Sequence, residues 1–349
     1  NNSGTVTVSS GPGSGSVTGA MVNTGTVAVA GGFELTDFSQ TAGALSGAGG
    51  ITITNSFSHT GGTFSPTGSL SITTGAGDLV LTGLTPIVTT GTIALTANGG
   101  KLSLNRPLEA GTLTLTANGD LAQNADGYLK ANSLSATSTN GKVELDASSS
   151  NSEIFTLTGG SAAATKTFKL RTATSLDVTG PVTGPGGIVL QTTSGAGHYL
   201  NVESHLSASS GSITLNSFGD IKLGKPGTAG PPSTPSTPNT VTANNNFTTF
   251  VGTGKAIDVV GDVTLSTATW LNSNKVSISG AFGKLALVSN AYVDNQSAGV
   301  IEFTGSQATP LLGNAGTTLM NSGLLKRSGT GSQTLDAQIF NPSGGTIQS

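Results

Sequence analysis

Thr112-Leu-Thr-Leu-Thr-Ala-Asn-Gly-Asp120 decides how the chain is read. Hydroxyl and aliphatic side chains alternate at its start, which is the period-2 pattern of a strand with one buried face. Asn-Gly then follows, a pair that reaches positive φ at low cost and turns the chain sharply. The neighbourhood repeats it. Thr-Ala-Asn-Gly-Gly-Lys-Leu-Ser-Leu (96–104) is matched by the tandem Thr-Ala-Asn-Gly-Asp-Leu-Ala-Gln (116–123), and Ser-Thr-Asn-Gly-Lys-Val-Glu-Leu (138–145) follows at a slightly longer interval. Ser-Ile-Thr-Leu-Asn-Ser-Phe-Gly-Asp (212–220) restates the unit further on.

Working outward, similar strands are expected at Thr5–Val8, Thr26–Val29, Ile51–Thr54, Leu70–Thr73, Leu79–Leu81, Ile93–Thr96, Leu102–Leu104, Val143–Leu145, Phe168–Leu170, Val189–Gln191, Ile221–Leu223, Val263–Leu265, Val276–Ser279 and Leu285–Val288. No segment has helical periodicity. Strands recurring about every 20 residues are the mark of a solenoid. One coil cannot hide its apolar side alone, whereas stacked coils bury a continuous aliphatic column and pair their backbones rung to rung. The predicted fold is therefore all-β, a right-handed parallel β-helix of about 20 residues per coil.

Pro-rich Gly-Lys-Pro-Gly-Thr-Ala-Gly-Pro-Pro-Ser-Thr-Pro-Ser-Thr-Pro-Asn-Thr (224–240) holds 5 of the 13 prolines and cannot join a regular ladder. The domain reading is solenoid over 1–223, a Pro/Ser/Thr-rich segment over 224–244, and solenoid again over 245–349. That segment is either a loop extruded from one continuous solenoid or a linker between two blocks.

Bulk composition excludes several function classes. Hydrophobic residues make up 35% of the 349 and charged residues 9%, so the low-hydrophobicity, high-charge signature of disorder is missing. A net charge of -3, with basic residues thinly spread, gives no footprint for nucleic acid or an anionic membrane. No apolar run long enough for a membrane span occurs. Zero Cys removes disulfides and thiolate chemistry.

Leu-Thr-Leu-Thr-Ala-Asn-Gly-Asp-Leu-Ala-Gln-Asn-Ala-Asp-Gly (113–127), the Asn-x-Gly turns at Asn2, Asn23 and Asn321, and Gly-Gly-Thr-Ile-Gln-Ser (344–349) resemble the repeats of filamentous-haemagglutinin-like exoproteins, secreted by the two-partner route, and of the related β-helical autotransporter passengers. Positions 50–290 carry most of the likeness. The resemblance implies a secreted protein of the bacterial cell surface: an adhesin, matrix fibre or toxin stalk, not an enzyme. Neither end shows the polar cap a solenoid needs, nor the family's secretion domain or terminal barrel. The expected partners are therefore further copies stacked end to end or further coils of a longer fibre, and cell-surface glycans or other cells, with no nucleic acid.

No catalytic, cofactor-binding or metal residue is assigned. Gly-Asp before an aliphatic residue recurs at Asp78, Asp120, Asp220 and Asp262, the first pair and the last pair each set two coils apart. A Ca²⁺ ladder would need the Asp on every coil. A turn Asp accepting local backbone N–H groups after a left-handed Gly is the reading adopted. The alternative function is a polysaccharide-binding or polysaccharide-degrading β-helix, for which Asp120, Asp126, Asp146 and Asp177, with Arg171, are the densest charged set. Trp270 and Tyr199 read as end-stacking or loop anchors in preference to sugar platforms. His59, His198 and His205 read as surface or turn residues. Five Gly-Lys pairs, from Gly100 to Gly283, lack the Ser or Thr of a phosphate loop. The Thr-x-Thr strands at Thr5, Thr52 and Thr112 reflect strand propensity more than an ice-binding face.

Overall fold

The computed structural model describes residues 1–9, 15–147, 151–193, 197–225, 239–329 and 331–349. Among these residues there is no helix, and the strands pair in parallel. Alternation accounts for it directly: in Thr92–Ala97, Leu108–Ala117 and Leu129–Ser138 the residues Ile93, Leu95, Leu113, Leu115, Leu134 and Ala136 are all fully buried, while Ala94, Thr114 and Ser135 between them face outward. Each of the strands expected from sequence is present, several of them a residue or more longer; the one from Ile51 runs on to His59, and Lys275–Ile278 stops short of Ser279.

Two compact units divide the chain. The first comprises Asn1–Thr156 with Ser161–Ala163, and the second Leu157–Gly160 with Ala164–Ser349. Both are parallel β-solenoids, about 14 turns between them.

In the first unit a coil from the best-preserved repeat contains a short strand, Leu102–Asn105 or Leu121–Gln123, and a long one, Leu108–Ala117 or Leu129–Ser138. Leu102 stacks on Leu121 and Leu113 on Leu134, so one aliphatic side chain meets its counterpart on the next rung. Nearer the start, Phe38, Phe57 and Phe64 cluster with centroids 5.3–6.2 Å apart. Phe64 belongs to a separate ladder of Thr5–Val8, Thr26–Val29, Ala44–Gly47 and Thr63–Pro66. At Gly47, with φ of 134°, an added Cβ would lie 1.9 Å from the Val29 carbonyl oxygen, so only glycine fits.

The second unit uses three short strands per coil, for example Ala256–Val259, Asp262–Ser266 and Thr269–Asn272, followed by Lys275–Ile278, Lys284–Val288 and Tyr292–Asn295. On the first of these three walls, Leu176, Leu200, Ile221, Ile257, Val276, Ile301 and Leu325 form one buried column. Val178, Val202, Leu223, Val259, Ile278 and Phe303 form a second. At the corner that ends the third wall, the interior turns polar: Asn272 donates to Asn295 at 2.8 Å, Asn295 to Asn321 at 2.7 Å, and Asn321 to Asn341 at 2.7 Å. Asn272, Asn295 and Asn321 are fully buried. Their amides also donate to the backbone carbonyls of Asn274, Leu324 and Thr346 where the chain bends. An amide suits this place because it both accepts and donates, and so passes a hydrogen bond from coil to coil.

Coil length varies more than the tandem repeat suggests. Phe33 pairs with Ile51 near the start of the chain, whereas near its end Val293 pairs with Leu319, across a clearly longer coil. The longest coil includes the Pro-rich stretch: Leu206 pairs with Val241, Ile213 with Phe247 and Ile221 with Ile257. Of the segment expected over 224–244, residues 226–238 lie outside the described residues, and Asn239–Ala243 is a strand.

Candidate functional site

Because alternate residues of each strand face outward, register aligns the outward side chains as it does the core. On the first wall of the second unit the outward position is occupied, rung by rung, by Asp177, Asn201, Lys222, Asp258, Ser277, Glu302, Lys326 and Gln348. Acids, bases and neutral hydrogen-bonding groups take turns, so no two like charges are direct neighbours in this column. Spacing of about 4.8 Å would make adjacent like charges repel.

Local contacts hold the column in place. Asn201 donates to Asp177 at 3.2 Å and to Glu203 at 2.8 Å. Lys222 lies over the Tyr199 ring, 5.6 Å from its centroid. Burial, reinforced by neighbouring Asp220, raises the Asp258 carboxyl above its ordinary range. Glu302 is the most strongly fixed. Ser328 donates to it, Lys275 reaches it at 2.9 Å and Lys326 at 3.5 Å. The Ser328 hydrogen bond and the Lys275 contact lower its pKa from 4.5 to about 2, against the opposing effect of burial. Glu302 is closely covered by these partners yet lies at the sheet surface, with 10% of its side chain exposed.

That shift has a definite sign. A carboxyl with a depressed folded-state pKa stabilises the fold above its unfolded value and loses that contribution on acidification. Urea unfolding of the wild type should therefore weaken by about 2 kcal/mol between pH 4.5 and 2 through this group, after allowance for solvent around the lysines. Glu302→Gln should remove that part of the pH dependence; identical profiles would mean that the cluster does not hold its charge.

The first unit carries a different feature. Val88, Glu109 and Lys130 stack in register, and Lys130 pairs with Glu153 at 3.3 Å. Two adjoining clefts, of about 410 and 370 Å³, share Glu109 and Lys130; Asp126 and Tyr128 line the first, Asn132 and Phe155 the second. Tyr128 donates to Glu109, which together with burial pushes the phenol up to about 12. At neutral pH the phenol is a donor. Beside these clefts, hydroxyls align across coils as Thr73–Thr96–Thr116–Thr137, a second row of Ser71, Thr114 and Ser135 is interrupted by Ala94, and Ser133 donates to Thr112 at 3.0 Å.

The residues singled out by sequence fall in various places. Asp78, Asp120 and Asp220 accept backbone N–H groups from Lys101, Lys142 and Ala256, at 2.8, 3.1 and 2.9 Å. These donors belong to the following coil, not to the local turn, and of the four preceding glycines only Gly77 has positive φ, which corrects the expected turn geometry. Asp262 instead meets Lys284 at 3.2 Å. Among the described residues no three His, Asp or Glu side chains gather as metal ligands. Asp126 lines the first-unit cleft, whereas Asp177 belongs to the second-unit column, so the expected acidic set does not act as one group. Arg171 faces Gln191 across the ladder.

Trp270 is neither a platform nor an end anchor. It is buried, packed on Phe247 at 5.4 Å, and donates from Nε1 to Thr249 at 3.2 Å. His205 accepts the Thr240 N–H at 2.9 Å, and His198 Nδ1 is buried with no hydrogen-bond partner among the described residues. His59 is half-buried at the end of Ile51–His59, where Arg106 contacts its Nδ1 at 2.9 Å. Sequence reasoning missed Glu302, Glu109, Tyr128 and Arg106.

Comparison with known protein families, curated proteins and solved structures finds no match. The architecture is that of a β-helical protein in general, and nothing narrower follows from likeness. Function must be argued from the faces themselves.

Proposed function

We propose that this chain is an extracellular structural and adhesive β-solenoid of a bacterial surface protein or matrix fibre, whose polar sheet face holds glycans of other cells. Further copies or further coils of the same fibre are its other partners. The observation that supports this reading most is the outward column from Asp177 to Gln348, a polar side chain on every coil that is exposed or half-buried at all but Ser277 and Glu302. Such a surface suits an extended polymer: each rung contributes a weak contact, and the sum grows with the number of rungs engaged. A repeat of about 4.8 Å is on the scale of a single sugar ring. The Ser/Thr/Asn-rich composition and the resemblance of the 113–127 repeat to exoprotein repeats agree with it.

A glycan array probed with the whole chain, followed by analysis of the bound material, tests this. Retention of intact oligosaccharides, weakened at least fivefold by the double substitution Lys222→Ala and Lys326→Ala, is the expected result. No binding to any glycan would sink the adhesive reading. A second reading, polysaccharide cleavage, is favoured by one observation, the grouping of Glu109, Asp126 and Glu153 around Tyr128 and Lys130 in a cleft. Release of shortened products that disappears in Glu109→Gln would support that reading instead.

A further inference from the structure

Arg106 follows the strand Leu102–Asn105 at a corner of the first unit and is buried, with a relative exposure of only 2%. A guanidinium so covered ordinarily has a carboxylate beside it, because an uncompensated buried charge is costly. Here it has none. Nε donates to the Thr85 carbonyl oxygen at 2.6 Å and Nη1 contacts His59 Nδ1 at 2.9 Å. Both partners are neutral: one is a peptide carbonyl, and burial together with Arg106 itself lowers the His59 pKa, the Gly62 backbone offsetting this only in part. Burial alone acts on the Arg106 charge, with no acid contributing. A guanidinium has five N–H donors, and no further hydrogen bond to Arg106 exists among the described residues.

The unused donors have somewhere to point. Arg106 lines a cavity of about 210 Å³ together with Thr60, Gly62, Thr82, Gly83 and Leu84. Gly83, with φ of 120°, brings the backbone alongside the guanidinium: an added Cβ would lie 3.8 Å from Arg106 Cδ and 3.9 Å from Cζ. No Asp or Glu lines this cavity. Its mouth is open, Leu84 being 82% exposed.

We propose that this cavity is an oxyanion-binding site, in which Arg106 donates to a carboxylate, sulfate or phosphate group. A planar guanidinium held from behind by Thr85 and His59 presents its remaining N–H groups in the fork that such anions accept. The volume admits one such group with part of the ring that bears it. Two sources share this chemistry, a free inorganic anion and the acidic substituent of a uronic acid or sulfated sugar. This site is independent of the polar column in the second unit and does not rest on its role.

Calorimetric titration of the whole chain with sulfate, phosphate, glucuronate and, as the uncharged control, glucose tests the proposal. Saturable binding of at least one anion, with none of glucose, is expected. Glucuronate binding at least tenfold tighter than either inorganic anion assigns the sugar source; the reverse order assigns the free ion. Arg106→Gln should lower the affinity at least tenfold. Should that variant fail to fold, Leu84→Asp, which places a negative charge at the exposed mouth, should weaken anion binding at least fivefold while leaving the circular dichroism spectrum unchanged. Failure of every anion to bind the wild type, or unaltered affinity in a folded Arg106→Gln or Leu84→Asp protein, overturns the assignment.

Discussion

Trp270→Ala is expected to destabilise the second unit by about 3–5 kcal/mol, the range for removing a large aromatic side chain from a packed core. Three losses combine. Trp270 is among the largest fully buried side chains, its ring packs on Phe247 at 5.4 Å, and its Nε1 supplies the hydrogen bond to Thr249, which is itself buried. Trp270→Phe would keep most of the ring but leave the Thr249 hydroxyl without that donor, so about 1–2 kcal/mol is expected there. Circular dichroism in a urea series is the suitable measurement, because Trp270 is the single tryptophan and its removal abolishes the fluorescence signal. Coils interact chiefly with their neighbours, so unfolding could begin at this site without involving distant turns. A loss below about 1 kcal/mol in the alanine variant would show that the coil around Trp270 already opens independently.

Asn295→Ala should cost about 3 kcal/mol, for a different reason. Few apolar contacts are lost. The damage is that Asn272 loses the acceptor it reaches at 2.8 Å and Asn321 loses the donor at 2.7 Å, while both remain fully buried. Each unsatisfied buried group costs about 1–3 kcal/mol. Asn295→Asp should be at least as harmful, because a carboxylate cannot donate onward to Asn321 and would bury a charge. The double variant Asn272→Ala, Asn295→Ala should cost clearly less than the sum of the single ones, since the two amides satisfy each other. Additive losses in urea unfolding would mean that the ladder is a row of independent bonds.

Much of the fold was legible in the chain because its strands announce themselves. Leu102-Ser-Leu104 and Val143-Glu-Leu145 alternate cleanly and are bounded by Asn, Gly and Asp, so period-2 burial predicts both their existence and their inward faces. The three-strand coil of the second unit was less visible, because segments such as Ile257, Val263 and Trp270 lie only a few residues apart and merge into one weakly alternating stretch. The polar column could not be read at all. The step from Lys222 to Asp258 is nearly twice the step from Asp258 to Ser277, so no constant period connects Asp177 to Gln348, and only the ladder register aligns them. Arg106 escaped notice because an arginine after Asn at a strand end ordinarily points into water, and its burial depends on the Gly83 corner of the preceding coil. Trp270 was misplaced for a different reason: a lone aromatic on a solenoid more often anchors an end or a loop, whereas this ring fills the interior beside Phe247.

The coil that joins Ile221 to Ile257 has a practical consequence. It is much longer than its neighbours, yet the strands before and after it meet in register. Chain added between two fixed points costs little, about 0.6 kcal/mol for each doubling of its length. The interval between Leu223 and Asn239 is therefore a natural splice point, where an inserted epitope or protease site is expected to leave the alignment of the flanking strands unchanged.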